Sequence, residues 1–156
     1  MVPFLTALHV TTIVLWIGGV AFVTIIIFPM LLGMEDSFEK VLMFQRVENK
    51  FARHARYYAG IAGITGGILL SITGQYKELF TRNTVGVSFM LLVWLFYALV
   101  LIFEKTVFGV LFSDPKKLDA SKIFFRLNVF HWAILGLSLA AVFIGVWSGD
   151  GGIFFG

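Results

Sequence analysis

Three histidines, His9, His54 and His131, and the complete lack of cysteine in 156 residues bound the chemistry open to this chain. Without thiols there is no disulfide, thiolate metal site, iron–sulfur cluster or cysteine nucleophile. Imidazole, carboxylate, thioether and phenol remain, with any cofactor they can hold. Each histidine sits in or beside an apolar run, in Leu8-His9-Val10, Arg53-His54-Ala55-Arg56 and Phe130-His131-Trp132. Ionisable groups in such runs are costly and are functional candidates by default. Two imidazoles facing each other across a helix bundle are what a bis-His haem b iron requires.

The elements that must position these rings follow from composition. The chain is 59% hydrophobic and 13% charged, with a mean hydropathy of +0.93; soluble proteins are about 25% charged. This is the profile of a membrane protein. Apolar stretches of about 20 residues, enough to cross about 30 Å of hydrocarbon as helix, occur four times, at roughly 3–34, 57–76, 85–103 and 127–147. The predicted fold is therefore all-α: an integral membrane four-helix bundle forming a single domain over 1–156. The first span lacks a basic leader and outruns an ordinary signal sequence, so it is expected to stay in the mature protein.

Lys40, Arg46, Lys50, Arg53 and Arg56 lie between spans one and two, and Lys105, Lys116, Lys117, Lys122 and Arg126 between spans three and four; only Lys77 and Arg82 lie on the other side. The positive-inside rule then puts both termini outside and both basic connections in the cytoplasm, in a multi-pass protein of the cytoplasmic (inner) membrane. The net charge of +3 matches anionic lipid headgroups, and nucleic acid is set aside. Phe44, Val47, Phe51, His54, Tyr58, Ile61 and Thr65 step by three and four residues, the spacing of a bundle seam. Helix two is thus expected to begin near residue 37, with Asp36 as N-cap, and to project into the cytoplasm. Helix three is expected to extend past Glu104 until Ser113-Asp114-Pro115 stops it.

At about 1.5 Å per helical residue, His9 lies about 9 Å below the outer boundary, His131 about 24 Å and His54 about 33 Å. His54 and His131 are thus the closest in depth and the first choice of axial ligands. Phe51, Phe124, Phe125, Phe130, Tyr57, Tyr58, Trp16 and Trp132 are candidates to lie on the macrocycle, and Arg53, Arg56 and Arg126 to meet its propionates. Gly60, Gly63, Gly67, Ser71 and Gly74, with Gly18-Gly19, offer grooves for a tetrapyrrole edge or, equally, for a neighbouring helix. The aromatic residues equally form an interfacial belt, and the arginines equally snorkel to phosphates. His9 is left to bind a quinone head group or to ligate a second iron with Met90, which lies at a similar depth on helix three and is also read as an ordinary lipid-facing or core side chain. Glu104, between the levels of His54 and His131, would complete a His-His-carboxylate metal site, or simply pair with Lys105 or Arg126.

Leu8-His9-Val10, Trp16-Ile17-Gly18-Gly19, Pro29 and Phe51-Ala52-Arg53-His54-Ala55-Arg56 before a Gly-rich second span resemble a broad group of small four-helix bacterial membrane proteins. That group includes the copper-resistance protein D-like family and the haem-containing protoporphyrinogen oxidases. The resemblance covers about the first seventy-five residues and implies a four-helix protein that holds haem b through histidines, with His9 matching a helix-one ligand. Thr84 and Val85 stand where the oxidases carry a basic residue. The expected function is that of a cytochrome-like protein for one-electron transfer, with a quinone or small redox partner. Copper or small-molecule transport is the first alternative, and an assembly or structural subunit of a respiratory complex the second. Small-residue faces make a homo-oligomer plausible.

Overall fold

The computed structural model describes residues 1–111 and 120–149. The expected stop at Ser113-Asp114-Pro115 and the tail from residue 150 lie outside the described residues. Among those described there is no strand, and four long helices follow in order. They are α1 (Val2–Leu32), α2 (Ser37–Thr73), α3 (Val85–Leu111) and α4 (Ala120–Gly149). Two short 3-10 turns, Gln75–Glu78 and Arg82–Thr84, join α2 to α3.

Among the described residues three segments are long and apolar enough to cross a membrane: Val2–Leu32, Val85–Glu104 and Lys122–Gly149. Their outer faces carry Phe4, Phe22, Leu99, Ile102, Phe125 and Phe143, each at least half exposed. A surface so rich in large apolar side chains is suited to lipid rather than water. The fourth expected span lies within α2. It is helical throughout but less apolar, because Gly60, Gly63, Gly66, Gly67, Thr65, Ser71 and Thr73 occupy it in place of larger aliphatic residues.

Local chemistry explains the boundaries. Asp36 caps α2 as the sequence predicts: its Oδ1 accepts hydrogen bonds from the backbone N–H of Phe38 at 2.7 Å and of Glu39 at 3.0 Å. This satisfies two of the orphan donors at a helix start. Gly74 ends the helix at φ 74°, a left-handed conformation that glycine adopts without steric cost. In α1 a π-helical stretch, Val23–Ile27, precedes Pro29. Proline lacks an N–H and crowds the carbonyl four residues back, so the wider turn lets the helix continue past it.

Side-chain contacts show that successive helices run antiparallel. His9 meets Thr65, Gly19 meets Phe51 and Phe28 meets Phe44, so α1 descends as α2 rises. Trp94 of α3 reaches Ala59 of α2, and Met90 and Tyr97 of α3 reach Gly145 and Ser138 of α4. Contacts between α1 and α4 close the set. Two apolar clusters fill the interior. One centres on Trp16, Val20, Ala59, Val93, Tyr97 and Leu135; the other, nearer the α1–α2 turn, on Ile27, Phe28, Leu31, Phe44, Phe124 and Leu127.

Candidate functional site

The face that α2 turns inward differs from the predicted seam. From residue 52 onward the buried positions are Ala52, Ala55, Ala59, Ala62 and Thr65, while His54 and Ile61 are exposed. Alanines at this spacing let the neighbouring helices approach closely, and that close approach selects the small-residue face over the bulkier one. The expectation that His54 points inward is thereby corrected. His54 hydrogen-bonds through Nδ1 to the Lys50 carbonyl at 2.8 Å, one turn back in its own helix.

His131 is buried as expected. Its Nδ1 donates to the Leu127 carbonyl at 2.9 Å, and its ring lies 4.5 Å from that of Phe28. Phe124, proposed for a macrocycle face, is instead fully buried against Phe44 at 5.3 Å. Tyr57, Phe125, Phe130 and Trp132 face outward.

Among the arginines expected at propionate level, Arg53 and Arg126 are exposed and Arg56 forms an ion pair with Glu104 at 2.8 Å. Glu104 therefore pairs with Arg56, a partner the sequence reading did not weigh. Among the described residues no group of three or more His, Asp or Glu is placed to hold a metal ion, so the His-His-carboxylate arrangement is not formed. Near this pair Glu48 lies on the same face as Phe44 and Ala52. Its Oε2 is buried with no hydrogen-bond partner. Burial pushes its carboxyl up to about 7, and the charge of Glu104 adds to the effect.

A mainly apolar cavity lies between the helices around His9. It has a volume of about 450 Å³ and is lined by His9, Trp16, Gly63, Gly66, Gly67, Gln75, Met90, Trp94, Tyr97 and Ser138 among others. This is the size range of a cofactor or drug-sized ligand. Its floor holds buried Trp16 and Tyr97, whose rings meet edge to face at 4.6 Å. Tyr97 Oη and Ser138 Oγ lie 2.6 Å apart. Toward the end of α2 it reaches exposed Gln75. Neither His54 nor His131 lines it.

His9 is set apart from the other two histidines by what holds it. His54 and His131 bond within their own helices, whereas His9 Nδ1 bonds across to Thr65 Oγ1 of α2 at 2.9 Å. The ring lies over Gly66, where a methyl group would stand 3.0 Å from His9 Cε1. Glycines elsewhere act as seats in the same way. Phe51 occupies the space at Gly19, Trp94 that at Gly63, and Met90 Sδ lies 2.5 Å from where a methyl on Gly145 would be. Part of the expected groove is therefore filled by side chains of neighbouring helices, while Gly60 and Gly67 remain open.

The structure thus brings His9 and Met90, which the sequence placed at similar depth, into the wall of one cavity. Sequence reasoning missed Thr65 as the partner of His9 and Gly66 as its seat. A hydroxyl in the middle of an apolar helix was the available signal. No family model, no curated protein and no solved structure matches this chain.

Proposed function

We propose that this chain is a four-span protein of the cytoplasmic membrane that holds a redox cofactor, haem b, for one-electron transfer, with its seat in the chamber beside His9. The observation that carries the reading is that an imidazole, a thioether and three large aromatic rings share one apolar cavity. The chamber fits the group on two counts. Gly66 and Gly67 remove the side chains that would fill it, and Trp16, Trp94 and Tyr97 offer flat walls. When bound, haem supplies the reversible one-electron couple. His9 offers the donor nitrogen, Met90 the soft sulfur, and the apolar lining excludes water and sets the local dielectric. Polar ends of the group would meet Gln75 and the adjoining Lys77 rather than Arg53, Arg56 and Arg126.

The proposed topology puts the chamber in the outer half, both termini outside, and the first part of α2 and the last part of α3 in the cytoplasm. The distribution of Lys and Arg supports it, as does the antiparallel run of α2 along the whole of α1, from Phe28–Phe44 to His9–Thr65. A ligand on helix one also agrees with the resemblance to the copper-resistance protein D-like and haem-containing oxidase group.

The same nitrogen–sulfur pair suits a soft cation such as Cu(I), which favours copper handling as the second reading. Protein purified from haem- and copper-supplemented cells separates the two. The haem reading expects a Soret band and a reduced-minus-oxidised α band that His9→Ala abolishes. Copper without a Soret band would favour the second reading, and colourless, metal-free protein would end both.

A further inference from the structure

The geometry points to Thr65 as the residue that fixes which nitrogen of His9 the chamber meets. It thereby restricts the occupant contacting His9 to species that accept a lone pair: a metal centre, or an O–H or N–H donor. This rests on the chamber reading above. Thr65 is buried, and its hydroxyl carries one hydrogen. That hydrogen is used inside α2, where Oγ1 donates to the Ile61 carbonyl at 2.7 Å, with the Ala62 carbonyl at 3.2 Å. Oγ1 has nothing left to give His9, so at 2.9 Å it accepts, and His9 Nδ1 carries the proton. In the neutral ring Nε2 is then the bare, basic nitrogen.

His54 and His131 also donate from Nδ1, but to carbonyls four residues back, an arrangement that belongs to their own helices. Only in His9, among the three, is the tautomer selected by a residue of another helix. Outer partners of this kind orient ligating histidines and tune their basicity. A bare Nε2 suits haem iron, Cu(I) or the hydroxyl of a hydroquinone. It offers nothing to a quinone carbonyl, which can only accept.

The test uses the full chain, ¹⁵N-labelled at histidine, in lipid nanodiscs. Nitrogen NMR, with the His9 signals assigned by their loss in His9→Gln, should show a protonated Nδ1 and an unprotonated Nε2 in the wild type and in Thr65→Ser. Thr65→Val should raise the population protonated at Nε2 relative to Nδ1 by up to about tenfold, the size of one neutral hydrogen bond. Thr65→Ala provides the same comparison should the valine variant fail to fold. A wild-type ring protonated mainly at Nε2, or a tautomer ratio unmoved by both substitutions, would overturn the inference. Titration with haemin then expects Thr65→Val to bind several-fold more weakly and Thr65→Ser to match the wild type. If the tautomer pattern holds while haemin binds none of these proteins, the haem reading fails and the role of Thr65 stands.

Discussion

The indole of Trp94 on α3 occupies the space that a side chain on Gly63 of α2 would fill. A methyl group there would come within 2.8 Å of Cε2, and Nε1–H donates to the Ala59 carbonyl at 2.9 Å. One residue thus closes the α2–α3 contact and forms a wall of the chamber. Gly63→Ala should push the indole from its seat, costing about 1–3 kcal/mol, as overfilling of a close contact does. Thermal unfolding in nanodiscs reads the loss, and tryptophan emission reads the displaced ring. Unchanged values for both would show that α3 can move away freely.

The three histidines should separate cleanly on substitution. His9→Ala should remove the haem absorption expected of the chamber while leaving the fold intact. His54→Ala should change neither spectrum nor stability measurably, because its ring is exposed and bonded only within its helix. His131→Ala should cost roughly 2–4 kcal/mol through the void left beside Phe28. Absorption spectra and unfolding curves of the three variants check this, and a spectrum lost in His54→Ala would restore the inner-half ligand pair.

Glu48 should make stability fall as pH rises. Its carboxyl titrates near 7 in the folded chain against an ordinary 4.5. Below about 4.5 both folded and unfolded chains are protonated and no penalty exists. Between about 4.5 and about 7 the unfolded chain ionises first, so stability declines; above about 7 it levels off. The full difference amounts to about 3 kcal/mol. Unfolding midpoints at several pH values should show this slope in the wild type and lose it in Glu48→Gln. Glu104→Gln should bring the Glu48 titration back toward the ordinary range, since the Glu104 charge is the second cause of the shift.

Asp36→Ala should weaken the start of α2 by about 1 kcal/mol, the usual value of an N-cap. Asp36→Ser should restore most of it, because a hydroxyl can accept from the same backbone N–H groups. Hydrogen exchange at Phe38 and Glu39, whose amides bond to Asp36 Oδ1, reports the change locally. Equal exchange in wild type and Asp36→Ala would contradict it.

Local patterns along the chain were enough to predict what local interactions decide. Four helices, the Asp36 cap, the extension of α3 beyond Glu104 and the apolar outer faces all follow from hydrophobic run length, capping chemistry and charge placement. The similar depth of His9 and Met90 was also legible, since rise per residue is nearly constant in a helix. Rotation of each helix about its axis was not. His54 and Ala55 differ by one position, and which of them faces inward depends on how closely α1 and α3 approach α2. That approach is set by seats such as Gly19 under Phe51 and Gly63 under Trp94. The hydrogen bond from His9 to Thr65 joins residues 56 positions apart, and no spacing rule within one helix encodes it. Residue types and levels therefore belong to the sequence, whereas inward orientation, which puts His9 in the cavity wall and leaves His54 exposed, was decided only when the helices met.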